Sequence, residues 1–280
     1  MASHIEEFLA ELVQANRSVH TVRAYAADLR SFTGNFTVVT LREYFAQFAA
    51  LAPSTRARKQ AAFSAYCQWA VRQGLLGDNP VARLERVRLE PPPPRAITRV
   101  QFGMILACSD SPRDRLLYRL LFELGLRISE ALGIYVEDLA MTRDDEHVTV
   151  KGKGGRHRTL LLDDPKLVRE LRIYLRQTGY TRGLMFRAEK NGTGGPLRYQ
   201  SIQARWARAC VEAGVTATLH QCRHAHATEL INGGAHGAIP VSLATIRKRL
   251  GHRHIASTLR YAELSDKAAE AEIRAWRRGL

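Results

Sequence analysis

The sequence predicts a two-domain, mainly α-helical protein whose larger domain holds one small antiparallel β-sheet. Three observations predict it. Apolar residues recur at three- and four-residue spacing through most of the chain, the stripe of amphipathic helices. Four consecutive prolines, Pro91 to Pro94, interrupt it. A single stretch, residues 146–162, changes to β-type patterning around a glycine-rich turn. The proline run has no N–H to donate and favours an extended backbone, so it reads as a semi-rigid linker. Residues 87–96 are therefore taken as the connection between an N-terminal domain, 1–86, and a C-terminal domain, 97–280.

In the first domain, Ser18 to Phe32 carries Val22, Tyr25, Ala26, Leu29 and Phe32 on one helical face. A second helix runs from about Ser54 to Gln73, with Ala62, Phe63, Tyr66, Trp69 and Ala70 on one side and Arg56, Arg58 and Lys59 in its opening turns. That basic end either meets phosphates and base edges in a DNA groove or is a solvated charged face.

In the second domain, Pro112 follows Asp110 and Ser111 at a first helical position, and a leucine stripe from Leu116 to Leu124 ends at Gly125. Glu146 to Lys151 and Arg156 to Leu162 form a hairpin across Gly152-Lys153-Gly154-Gly155. Asp164-Pro165 opens a helix that stops at Gly179, and Tyr199 to Glu212 is a helix closed by Gly214. From His220 onward, short helical segments alternate with glycine breaks. Ser265 to Arg278 is a short amphipathic helix containing Ile273 and Trp276.

Composition narrows the function. The 280 residues include 42 Lys and Arg against 27 Asp and Glu, a net charge of +15, which points to a polyanionic partner. With 45% hydrophobic residues the chain can bury a core, which excludes a disordered basic tail. No run approaches the ~18 apolar residues needed to cross a bilayer. The opening MASHIEEFLAEL lacks the features of a signal peptide, so a cytoplasmic protein is expected. Cys67, Cys108, Cys210 and Cys222 form no CxxC pair and read as small core residues.

Four clusters carry chemistry. In Gly125-Leu-Arg127-Ile-Ser129-Glu130, an arginine directly after a helix stop either holds a phosphate or pairs structurally with Glu130. Lys153, flanked by glycines, either reaches a phosphate or leaving-group oxygen or stays in water. In His220-Gln-Cys-Arg223-His224-Ala-His226, positions 220, 223 and 224 share one helical side. The arginine among these histidines opposes a cation, so anion binding is favoured over metal binding and no metal or other cofactor is expected. Last come Leu250-Gly251-His252 and, nine residues on, Tyr261. Arginines, histidines, a lysine and a tyrosine suit metal-free transesterification at a phosphodiester.

Taken in order, these motifs resemble the tyrosine recombinase (phage integrase) family, close to its Xer-like members, and Ser18-Val-His-Thr21-Val-Arg-Ala-Tyr25-Ala-Ala-Asp28-Leu resembles the opening of that family's core-binding domain. The resemblance implies a two-domain C-clamp on double-stranded DNA and a site-specific recombinase that needs neither metal nor ATP. It implies Tyr261 as the nucleophile forming a 3′-phosphotyrosyl bond, and Arg127 and Arg223 holding the non-bridging oxygens. Lys153 would protonate the leaving 5′-oxygen, His220 would act as general acid/base, His252 would support the transition state, and Glu130 would orient Arg127 or His220. It also implies a homo-tetramer in the synaptic complex, monomer or dimer before synapsis, with Trp276 anchoring a C-terminal helix on a neighbouring subunit. The expected location is cytoplasmic, at the nucleoid. Cys222 departs from the family's apolar residue, and Gly233 to Pro240 lengthens the stretch before Leu250. A type IB topoisomerase-like nicking-resealing enzyme and a catalytically silent sequence-specific DNA-binding protein are the competing readings.

Overall fold

A computed structural model describes residues 2–89, 96–152, 155–188, 194–233 and 240–251. The chain divides into two compact units, Met1–Pro92 and Pro93–Leu280.

The N-terminal unit is built from α1 (Ala2–Gln14), α2 (Val19–Arg30), α3 (Val38–Ala46) and α4 (Pro53–Arg72), followed by a short 3-10 turn, Pro80–Arg83. Ser18 caps α2, its hydroxyl accepting from the Thr21 N–H at 3.1 Å. Pro53 starts α4, where a missing N–H costs nothing. Ala62, Phe63, Tyr66, Trp69 and Ala70 of α4 are buried, as their spacing predicts. Aromatic rings meet around Phe63, with Phe32, Tyr44 and Phe45 at centroid distances of 5.4, 5.2 and 5.3 Å. Emptying that centre by Phe63→Ala costs about 3–5 kcal/mol by the usual measure of core truncation.

The C-terminal unit contains α5 (Arg99–Ala107), α6 (Pro112–Glu123), α7 (Ile128–Leu132), strands β1 (Leu139–Thr142), β2 (Asp145–Lys151) and β3 (His157–Leu161), then α8 (Pro165–Thr178), α9 (Tyr199–Glu212), α10 (Leu219–Asn232) and α11 (Leu243–Leu250). The sheet order is β1-β2-β3, antiparallel throughout, with Val148 opposite Leu139 on one side and Leu160 on the other. Val148, Val150 and Leu160 face the core.

Three features differ from the sequence reading. The sheet has a third strand, β1, joined to β2 through Arg143 and Asp144, the latter at φ 64°. This turn lacks the Asn-Gly or Asp-Gly pair that marks a tight hairpin. The helix α6 is buried on nearly every side, including Arg113, Asp114 and Arg119. Arg119 reaches α8, donating to Asp164 and Glu170 at 2.6 Å each, while Asp114 accepts from Arg113 and from Arg205 of α9. These pairs permit charge in the interior of a helix whose leucines alone show the core. Finally, α10 is a continuous 14-residue helix rather than a short segment, because no glycine breaks it before Gly233.

Candidate active site

The site begins where α6 ends. Gly125 has φ +63°, and a Cβ there would lie 2.6 Å from His226 and 2.7 Å from Leu250. Only glycine lets this turn press against α10 and α11. Two residues on, Arg127 is the N-cap of α7, and Glu130 reaches back from the third helical position. The Glu130 carboxylate accepts from the Arg127 backbone N–H at 2.9 Å and from its Nη1 at 2.7 Å. The sequence signature Gly-Leu-Arg-x-Ser-Glu is thus a helix start in which a carboxylate positions the arginine that precedes it.

Glu130 is almost completely buried and gathers two further guanidiniums. Arg158 of β3 grips it with both terminal nitrogens, at 3.1 and 2.8 Å, and Nη1 of Arg223 lies 3.9 Å away. Burial pushes the Glu130 carboxyl up, but the hydrogen bonds from Arg158 and Arg127 and the charge of Arg158 outweigh it and hold the group down at about 2. Arg223, on the first turns of α10, is 1% exposed. Its Nη1 donates to the Gly125 carbonyl at 2.7 Å and its Nη2 to the Leu250 carbonyl at 2.6 Å. Three guanidiniums against one carboxylate leave two positive charges in one place. Arg127 is the accessible member, a third exposed, and among the described residues its Nε and Nη2 have no partner.

His220, one turn before Arg223, is an exposed residue at the start of α10. Desolvation, then the charges of Arg223 and Arg127, lower its proton affinity, so it is a neutral imidazole able to accept a proton at neutral pH. The His224 ring stands edge-on to it at 4.7 Å. His226 lies inside the protein. Its burial and the nearby Arg249 and Arg223 drop it to about 3, and it accepts from Arg249 Nε at 3.1 Å. Arg249 also donates to Asp163 at 2.8 Å. His226 is thus a permanently neutral acceptor that fixes Arg249, at the end of α11.

The geometry can now be set beside known proteins. The phage integrase family pattern matches residues 97–268, more than half of the chain, and that of the phage integrase N-terminal SAM-like domain matches residues 5–74. The chain belongs to the phage integrase family. Tyrosine recombinase XerC of Mycobacterium bovis (strain BCG / Pasteur 1173P2) is 32% identical over 290 residues, which cover 93% of this chain and 92% of that relative. The fold is shared with XerH site-specific recombinase bound to palindromic difH substrate in a post-cleavage complex, at TM-score 0.73 and 20% identity over 94% of this chain and 81% of that one. It is shared equally with a lambda integrase tetramer bound to a Holliday junction, at TM-score 0.73 and 15% identity over 90% of this chain and 77% of that one.

Of the residues singled out from the integrase-like motifs, Arg127, Glu130, His220 and Arg223 come together in this site. Lys153, His252, Tyr261 and Trp276 lie outside the described residues, as do residues 234–239 of the lengthened stretch. Their described neighbours are in place: a Cβ on Gly152 would be 3.7 Å from Glu130, and one on Gly251 would be 3.1 Å from Arg158. Arg56, Arg58 and Lys59 belong to the N-terminal unit. Arg58 and Lys59 bond the buried Asp28 of α2, Lys59 at 3.0 Å, and Lys59 also lies 4.3 Å over the Phe48 ring. Arg56 lines a cavity of about 520 Å³ together with Arg42, Phe45, Phe48 and Arg83. Sequence reasoning missed Arg158, Arg249 and the structural role of His226. One signal for Arg158 was available: it shares the inward side of its strand with Leu160, an unusual place for an arginine.

Proposed function

We propose that the chain is a site-specific DNA recombinase that cuts and rejoins DNA through a 3′-phosphotyrosyl intermediate. The observation that carries this reading is the cluster of Arg127, Arg158 and Arg223 around one buried carboxylate, beside a neutral His220, in a chain of the phage integrase family. A phosphodiester has one negative charge and its pentavalent transition state two, matching the two positive charges left after Glu130 is counted.

In this reading the Tyr261 oxygen attacks the scissile phosphorus, its proton passing to a base, with His220 in that role. The bond to the 5′-oxygen breaks, and Lys153 supplies the proton that completes the free 5′-hydroxyl. Arg127 and Arg223 hold the two non-bridging oxygens, and His252 supports the transition state. Attack by a 5′-hydroxyl on the phosphotyrosine reverses the step and releases Tyr261, so rejoining consumes no nucleotide. Residues 1–86 serve as the core-binding domain and 97–280 as the catalytic domain, joined by 87–96, and both contact the duplex. A homo-tetramer, with the C-terminal helix docking through Trp276 on a neighbour, exchanges strands. The tetrameric assembly of lambda integrase on a Holliday junction supports this arrangement.

The test begins by selecting a bound sequence from random duplexes, then rebuilding it with a nick that traps cleavage. A covalent protein–DNA adduct on a denaturing gel, abolished by Tyr261→Phe, is the expected result. Binding without an adduct overturns the enzymatic reading, and relaxation of arbitrary supercoiled DNA without a defined site overturns site specificity.

A further inference from the structure

One arginine of the cluster belongs to none of the sequence motifs. Arg158 extends from β3 beneath α7 and is 14% exposed. Its two terminal nitrogens hold both oxygens of Glu130, and its Nε donates to the Arg249 carbonyl at 2.9 Å. The next carbonyl of α11, that of Leu250, receives Arg223. Consecutive carbonyls at one helix end therefore fix two arginines, and the first of these fixes Glu130, which fixes Arg127. Two motif glycines border the same guanidinium: a Cβ on Gly152 would approach Arg158 Nη1 to 3.5 Å, and one on Gly251 to 3.1 Å. These glycines directly precede Lys153 and His252.

We propose that Arg158 is a positioning residue for phosphoryl transfer, the strut that sets Arg127 against Arg223 and refers both to the end of α11, where the segment carrying His252 and Tyr261 begins. The inference rests on the recombinase reading above. It assigns Arg158 no contact with DNA, because its fork is engaged by Glu130. It also requires guanidinium geometry: lysine keeps the charge but cannot grip both carboxylate oxygens and a carbonyl at once.

The experiment compares wild type, Arg158→Lys and the paired variant Glu130→Gln/Arg158→Gln on the nicked duplex. Adduct formation at saturating protein is read separately from DNA affinity and thermal midpoint. The paired variant removes the Glu130 and Arg158 charges together, so neither is left unpaired by loss of the other, while Arg223 keeps its two carbonyl acceptors. Both variants are expected to bind DNA like wild type and to form adduct about 100-fold more slowly, the usual consequence of a reacting group misplaced by ~1 Å. Wild-type cleavage by Arg158→Lys would reduce the role to charge alone and overturn the proposal. So would a loss that merely follows DNA affinity, or wild-type cleavage by the paired variant. Absence of adduct from wild type itself would instead bring down the recombinase reading, and this inference with it.

Discussion

Asp28 in the N-terminal unit and Glu130 in the C-terminal unit are both buried carboxylates gripped by two basic side chains. Asp28 takes its cations from adjacent positions of one helix, Arg58 and Lys59, and the result joins α4 to α2. Glu130 takes them from separate elements, α7 and β3, with Arg223 of α10 close by. At Asp28 the carboxylate is the centre of a two-helix rivet. At Glu130 it is the hub of a set of arginines, one of which keeps donors available among the described residues. Burial and pairing are common to both, so neither identifies a site. What sets Glu130 apart is the convergence of separate elements on one carboxylate.

Several substitutions test this distinction, beginning with the largest effect. Arg223→Ala should remove adduct formation and also destabilise the C-terminal unit by about 3 kcal/mol or more, since two charge-assisted hydrogen bonds to buried carbonyls are lost. Arg127→Ala should slow cleavage by about 10²–10³-fold, the cost of one transition-state donor, while leaving the thermal midpoint nearly unchanged. Equal stability losses in the two variants would erase the difference between framework and accessible arginine.

Glu130→Gln should show a particular pH dependence. The carboxyl titrates lower in the folded chain, at about 2, than its ordinary 4.5, so its stabilisation is complete above about pH 5 and disappears as pH falls from 4.5 through 2. Urea unfolding should find the variant roughly 2–3 kcal/mol weaker at pH 7 and the gap closing toward pH 2. A gap independent of pH would contradict the hub role.

His226 behaves in the opposite chemical sense but with the same acid direction. It stays neutral in the folded chain down to about 3, whereas the unfolded chain takes up a proton near 6.5, so stability falls as pH drops from 6.5 toward 3. His226→Gln should flatten the stability profile across that window, measured by thermal midpoints at stepped pH. An unchanged slope would show that another group governs acid unfolding. The smallest effect belongs to the rivet: Arg58 is 42% exposed, so Arg58→Ala should cost about 0.2–1 kcal/mol and leave the rate of adduct formation by bound protein unchanged.

Much of the fold was legible because local chemistry marked it. Ser18, Asp164 and Gly179 stand where the sequence begins or ends their helices, and Pro53 opens α4 one residue before the start read from spacing. The hairpin followed from alternation around glycines. Strand β1 was not legible, because Leu139–Thr142 is short and its burial alternates only between half-buried and exposed. For the site, the motifs brought Arg127, Glu130, His220 and Arg223 into one group. Arg249 was invisible among 42 basic residues and Arg158 was marked only by its inward place on a strand, because their partners are backbone carbonyls and carboxylates far away in the chain. Nothing local in the sequence marks a carbonyl as an acceptor for a distant guanidinium.

The end of α11 has a consequence for how the chain is made. The carbonyls of Arg249 and Leu250 are met by side chains 91 and 27 residues earlier in the sequence. A ribosome delivers both arginines before it delivers the helix they receive. During synthesis the sheet and α10 can therefore form a prepared berth, and α11 is the late arrival that seats in it. The stretch with His252 and Tyr261, the reactive part under the recombinase reading proposed above, is synthesised only after that helix.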